Sequence, residues 1–403
     1  MRMLHYAAPG GPTRAAVTRG RRAPTERAGR ADSVRFAATR AIPFFVRGVP
    51  GARPAFSAQT LRQLRARHGG APVPVRGVSG TVLVLLDPRE LRQFYAEPVG
   101  GAGAPAGAGR TRAEPAPLTG EALHAVITEE ARQLTAASTL ELVRVRQAVA
   151  RAARRIALAD RGAVPVPVPV PVPGPGLGER GSAGLLGLLR RRGRAARGVP
   201  ADGHAPAGRT APHGDPTDSL HSWLRAVDTV PATVLRTLLL LGAHPAEQEA
   251  AAAEAAGCPL PEGLTRLDAC VRESLRLYPA VPDLVRVTRT ETEWRGVRHP
   301  AGTRVLLPVH FLQRDPAHVP AAHVFVPGRW KTPGADEDVR MSPFGHGPGR
   351  CPGSRLGLLV TTALCAEVLR HCRITGVRPV LDPPGPLPAV LDPRTIRLTL
   401  TRR

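Results

Sequence analysis

The stretch Phe344-Gly345-His346-Gly347-Pro348-Gly349-Arg350-Cys351-Pro352-Gly353 decides how this chain is read. It sets one cysteine in a Gly- and Pro-rich loop, immediately before a run from Arg355 to Arg370 that is apolar nearly all round. Such a run predicts a buried helix. Glycines on both sides of the sulfur leave room for a flat ligand to approach closely. The helix start behind the loop supplies N–H donors and the positive end of the dipole, which favour an anionic sulfur. The loop alone leaves two readings open: a sulfur presented to a metal or an electrophile, or a small cysteine packed in a tight turn.

Two upstream patterns bear on that choice. Glu273-Ser274-Leu275-Arg276 lies in a stretch with helical spacing, Leu264 to Leu277, and puts a carboxylate and a guanidinium one turn apart on one face. Alone, it reads as a solvated helix pair. Phe325-Val326-Pro327-Gly328-Arg329-Trp330 places an arginine 22 residues before the cysteine. Alone, that is a Pro-Gly turn with an exposed arginine. The order and spacing of all three carry the argument.

Together they resemble the cytochrome P450 family, the haem-thiolate monooxygenases. The family pattern F-x-x-G-x-x-x-C-x-G is met by Phe344, Gly347, Cys351 and Gly353, its E-x-x-R by Glu273 and Arg276, and its F-x-P-x-R by Phe325, Pro327 and Arg329. The resemblance implies one large, mainly α domain with small β-sheets, the cytochrome P450 fold. It implies haem b as cofactor, with Cys351 as metal ligand and Phe344, Gly345, Gly347 and Gly353 shaping the loop around it. Glu273, Arg276 and Arg329 would then support that loop and take no part in the chemistry.

The family's long central helix carries an acid–alcohol pair, and here Arg225-Ala226-Val227-Asp228-Thr229 falls in that position. By resemblance, Thr229 would hydrogen-bond dioxygen and Asp228 would help deliver protons. Arg225 stands where the family has a small residue, and Pro231 follows inside the helix, where it removes a backbone donor. For the haem propionates the resemblance points to Arg286 first, with Arg350 a second candidate that would instead face a redox partner. The family often has Arg or His two residues before the cysteine; this chain has Gly349. A family W-x-x-x-R or H-x-x-x-R helix in the N-terminal half has no counterpart in this sequence.

The resemblance implies a soluble, bacterial-type, cytoplasmic monooxygenase inserting one oxygen atom of dioxygen into a small apolar substrate, with electrons from a ferredoxin or flavodoxin system. The missing propionate helix motivates the alternative of a degenerate relative that keeps the C-terminal core and binds haem weakly or not at all.

Outward from this core the sequence is less regular. Residues 1–55 read as a poorly ordered arm rich in Arg, Ala and Gly, and 56–403 as the domain itself, with low-complexity insertions near 99–109 and 164–216. The second begins with five Val-Pro dipeptides, which admit only extended or polyproline-like backbone. Phe56–His68 predicts a helix stopped by Gly69-Gly70, and Pro72–Val78 with Thr81–Leu86 a hairpin. Asp87-Pro88 predicts the cap of a short helix through Tyr95. Gly120–Ala159 reads as a helical block, Ser219–Leu241 as a long helix stopped at His244-Pro245, and Gln248–Ala256 as another helix. Trp294–Val309 reads as a strand pair around Pro300-Ala301-Gly302.

Composition sets the limits. Among 403 residues, 56 Lys or Arg against 32 Asp or Glu give +24, which invites a nucleic-acid reading. The arginines are spread along the chain rather than gathered on one element, and aromatic residues are only 3%, too few for base-stacking platforms. Arg, Ala, Gly and Pro share GC-rich codons, so the charge reads as compositional, and no nucleic-acid partner is expected. No run of 18 apolar residues occurs, so no membrane span is expected. Five cysteines, none in a C-x-x-C pair, predict a reducing compartment and no disulfide framework.

Overall fold

The computed structural model describes residues 57–77, 80–96, 99–101, 120–159, 216–347, 350–351, 353–383 and 385–403. The expected arm over 1–55, the low-complexity residues 102–109 and the Val-Pro tract lie outside these.

The first helix, α1 (Ala58–Arg67), begins where Ser57 Oγ accepts the Thr60 amide at 3.1 Å, and its chain turns at Gly69 and Gly70, both at positive φ. β1 (Val73–Gly77) and β2 (Gly80–Val84) form the expected antiparallel hairpin. Asp87 Oδ1 accepts the Arg89 amide at 3.0 Å to start α2 (Arg89–Ala96). The Gly/Ala-rich stretch after it is not wholly irregular, since β3 (Val99–Gly101) pairs with a distant strand.

The expected helical block is two helices, α3 (Gly120–Thr135) and α4 (Leu142–Ala159), separated by β4 (Thr139–Glu141). Tertiary pairing overrides local propensity here. Leu140 sits opposite Leu398 of the C-terminal strand, and both are fully buried. α5 (Pro216–Ala243) continues through Pro231 without a break. α6 (Pro245–Gly257) and α7 (Thr265–Leu277) follow as expected.

The strand pair expected around Pro300-Ala301-Gly302 is corrected. β6 (Thr292–Trp294) and β7 (Val297–His299) form the hairpin, turning at Arg295 and Gly296, both at positive φ. β8 (Arg304–Leu307) leaves it for another sheet, where it runs parallel to β2 and antiparallel to β5 (Leu284–Thr288). The Pro-Ala-Gly turn thus redirects the chain between sheets: the Gly302 amide bonds to Thr288 O at 2.9 Å, at the end of β5. The resulting five-stranded sheet has the order β1-β2-β8-β5-β3. α8 (Val309–Gln313), the buried α9 (Ser354–His371), β9 (Cys372–Arg378) and β10 (Arg397–Arg402) complete the described chain, with β4, β10 and β9 in a three-stranded sheet.

Two cores result. One gathers side chains of α3 to α7, α9, β9 and β10, and the other joins α1 and α2 to the five-stranded sheet. In α5 every residue from Val230 to Leu241 is buried, so it forms the spine of the helical core. Arg236 is buried there too, and its guanidinium donates to Leu391 O at 2.8 and 3.0 Å and to Tyr278 O at 3.3 Å. Burial lowers its pKa to about 10. These bonds tie the helix to the C-terminal segment. At the next turn a Cβ on Gly242 would stand 2.6 Å from Ile374 Cγ2 and 2.7 Å from Val377 Cγ1. Gly242→Ala is therefore expected to overpack this contact and lower stability by about 1–3 kcal/mol, read by chemical denaturation.

His310 on α8 gives the fold an acid-side limit. Its pKa is pushed down to about 4, first by burial and then by Arg314. The unfolded chain, with a histidine pKa of about 6.5, binds the proton more readily. The stability His310 contributes is therefore complete above the unfolded value and lost as pH falls toward the folded one. Melting temperature is expected to drop between pH 7 and pH 5, and His310→Gln to shallow that drop.

Candidate haem-thiolate site

The cysteine loop is closed by its own backbone. The Cys351 amide donates to Phe344 O at 2.8 Å, Gly345 N to Ser342 O at 3.0 Å, and Arg350 N to Gly347 O at 3.0 Å. Gly345 and Gly347 have φ of 78° and 57°, so both positions favour glycine for conformational reasons. Gly347 has a second reason, because a Cβ there would lie 3.2 Å from the Tyr95 carbonyl oxygen on α2. Gly353 is different. Its φ of −87° suits any residue, and a Cβ would meet no described atom within 4 Å. Cys351 is exposed just before the N-terminus of α9, and its carbonyl accepts the Ser354 amide at 3.1 Å. A sulfur facing outward, with open space beside it at Gly353, fits a flat haem laid against the loop.

Beneath the loop, Phe344 packs on Val271 and Leu275 of α7 and Leu358 of α9. α7 is fixed in turn by a buried cluster around one carboxylate. Glu273 and Arg276 are both 0% exposed, so the pair is no solvated helix decoration. Arg276 reaches Glu273 through Nε at 2.9 Å and Nη2 at 2.8 Å, and its remaining donors meet the carbonyls of Gln313, Ala322 and Val324. Glu273 Oε1 also accepts Arg329 Nε at 3.1 Å and the Val326 amide at 3.0 Å, while Oε2 accepts Trp330 Nε1 at 2.9 Å. Burying these charges is tolerable because the hydrogen-bonding capacity is filled. Burial lowers the Arg329 pKa, and Glu273 opposes that shift. The three predicted support residues thus come together, and Trp330 joins them unpredicted. The only sequence signal for it was adjacency to the F-x-P-x-R segment.

The remaining predicted residues occupy separate elements. Thr229 is half-buried on α5, where its carbonyl accepts Thr233 Oγ1 at 3.0 Å. Asp228 precedes it on the same helix, and its side chain lies outside the described part. α5 packs against α9. Arg286, on β5, is buried with its guanidinium 5.4 Å from the centre of the Phe94 ring. Burial lowers its pKa, and Tyr95 is the group that raises it. Arg350 and Arg355 are exposed on the cysteine side. Nearby Arg340 is held by both oxygens of Asp338 and by His318 O, so its charge is locally compensated.

The comparisons with known proteins place this arrangement. The family model for cytochrome P450 matches residues 224–400. Cyclooctat-9-en-7-ol 5-monooxygenase of Streptomyces melanosporofaciens is 33% identical over 213 residues, which cover 47% of this chain and 46% of that protein. Mouse mitochondrial 25-hydroxyvitamin D-1 alpha hydroxylase is 34% identical, covering 43% of this chain and 35% of its own length. A zebra fish cytochrome P450 structure with abiraterone superposes at a TM-score of 0.57 and 18% identity, covering 86% of this chain and 99% of that one, which shows the fold. These matches support membership of the cytochrome P450 family over residues 224–400, a family whose members bind haem b. It spans about half the length, or less, of the curated relatives it matches. Among the described residues no helix is long and apolar enough to cross a membrane.

Proposed function

We propose that this chain is a haem-thiolate monooxygenase, and the observation that carries the proposal is the exposed Cys351 on a loop braced by the filled Glu273–Arg276–Arg329–Trp330 cluster. Cys351 would supply the thiolate ligand to the iron, and Phe344, Gly345, Gly347 and Gly353 would shape the surface the haem lies on. Arg286 would hold a propionate. Bound there, haem supplies the activation of dioxygen and the transfer of one oxygen atom, the other leaving as water once electrons and protons arrive from outside. Thr229 Oγ1 would hold the proton delivered toward the reacting oxygen, and the Asp228 carboxylate would replenish it.

The electron donor suggested is a ferredoxin or flavodoxin, whose acidic surface would meet the exposed Arg350 and Arg355 on the cysteine side. The substrate suggested is a small apolar organic molecule, and a bacterial-type enzyme accords with the source of the Streptomyces relative; a cytoplasmic location is part of the same proposal. The lack of a W-x-x-x-R or H-x-x-x-R pattern in the N-terminal half of the sequence favours a second reading, a relative that keeps this core without turnover. Incubation with a surrogate reductase, NADPH and a panel of small terpenoid alcohols separates the two. Substrate-dependent hydroxylated product is expected. No product and no reductant consumption, with haem bound weakly or not at all, would favour the non-catalytic relative.

A further inference from the structure

We propose that the Tyr95 hydroxyl, on the last turn of α2, donates a hydrogen bond to an acidic edge group of the haem beside Arg286, making a carboxylate-binding corner between α2, β5 and the cysteine loop. This rests on the reading of Cys351 as haem ligand and adds to it a residue that no motif assigns.

Three contacts bring Tyr95 to that corner. Its carbonyl is the atom that Gly347 must approach closely, at 3.2 Å from a Cβ placed there. Its ring lies against His346 of the same loop, with centroids 6.1 Å apart and planes at 60°. Its neighbour Phe94 packs on it edge-on at 5.4 Å, and the Arg286 guanidinium lies over the Phe94 ring, also at 5.4 Å. Tyr95 is 3% exposed, so its ring is fixed by this packing.

The chemistry follows from the donor set. Burial pushes the Tyr95 hydroxyl up to about 12, so at neutral pH it stays protonated and can donate. A guanidinium donates only. Tyr95 and Arg286 lie near enough to influence each other's protonation, and a phenol O–H and a guanidinium side by side suit a ligand that accepts from both, as a carboxylate does with charge-assisted bonds. The sequence makes such a residue useful: Gly349 stands where the family often has a cation, and the N-terminal propionate motif is missing. Tyr95 would supply from α2 part of what those positions lack.

The test uses the full-length holoprotein and reads haem loss to excess apomyoglobin. Tyr95→Phe keeps the ring and removes the donor. It is expected to release haem b about ten-fold faster than the parent, the size of one hydrogen bond to a charged group. With haem dimethyl ester, whose acidic groups are capped, the parent and Tyr95→Phe are expected to release cofactor at nearly equal rates. Equal rates with haem b, or the same ratio with both cofactors, would overturn the proposal, because packing alone would not distinguish the ester. A parent protein without a thiolate-marked Soret band removes the haem reading and this one with it. A normal band with equal rates removes only Tyr95. If far-ultraviolet circular dichroism shows Tyr95→Phe misfolded, Tyr95→His, which keeps a ring and a donor, carries the same comparison and is expected to hold haem b near the parent rate. Faster haem b loss from a folded Tyr95→His, undiminished with the ester, counts against the proposal.

Discussion

Glu273→Ala is expected to destabilise the C-terminal core by about 3–5 kcal/mol and to abolish haem retention with it. The carboxylate accepts two donors from Arg276, one each from Arg329 and Trp330, and one from the Val326 amide, all away from water. Removing it leaves the Arg276 guanidinium buried without its counter-charge, and breaking a buried pair from one side costs about that much. Against a typical domain stability of about 5–15 kcal/mol, the loss is large. Trp330→Phe removes one bond to the same carboxylate and should cost about 1.5–3 kcal/mol. Denaturant titration of the three proteins checks the ranking. A Glu273→Ala protein as stable as the parent would show that the cluster does not hold the loop in place.

Cys351→Ser is expected to do the opposite, leaving the fold nearly untouched and removing the chemistry. The loop uses the Cys351 amide and carbonyl, which a serine also has, and the sulfur is exposed. A surface substitution of this kind stays within about 0.5 kcal/mol. The reduced carbon monoxide complex should lose its thiolate-marked band, and oxygen insertion should fall to background. A melting temperature well below that of the parent would mean that the thiol itself packs the loop. The two substitutions thus divide support from ligation.

The sequence disclosed the site better than its surroundings. The hairpin of β1 and β2, the short helix α2 and the buried α9 were legible because their signals are local: turn residues, a cap, an unbroken apolar face. The partners of β8 were not. A run from Trp294 to Val309 shows two strands, and nothing in it says that β7 pairs backward across Arg295-Gly296 while β8 joins β2 and β5. β3 was hidden in a Gly/Ala tract, since its pairing with β5 is a long-range event that composition does not encode. The split of α3 from α4 has the same cause in β10. Within the site, the one-turn spacing of Glu273 and Arg276 was visible, but it could not distinguish a solvated pair from a buried one. Burial decides that question, and it depends on the carbonyls of Gln313, Ala322 and Val324. Tyr95 carried no signal, because only folding brings α2 against a loop some 250 residues later.

The electrostatics also read differently once folded. Several arginines in the described core serve as multi-donor staples to backbone carbonyls, as Arg236 and Arg314 do against the segment from Leu387 to Leu391. Their charge reflects how this chain joins its segments, which a polyanion-binding reading of +24 would have missed.

The central claim is that Cys351 presents a thiolate to haem iron. The most direct measurement is the absorbance spectrum of the purified, dithionite-reduced protein under carbon monoxide, after expression with a haem precursor. The account predicts the strongly red-shifted Soret band of a thiolate-ligated complex, present in the parent and absent from Cys351→Ser. A haem-replete parent whose band stays at the unshifted position of a nitrogen-ligated complex would contradict it.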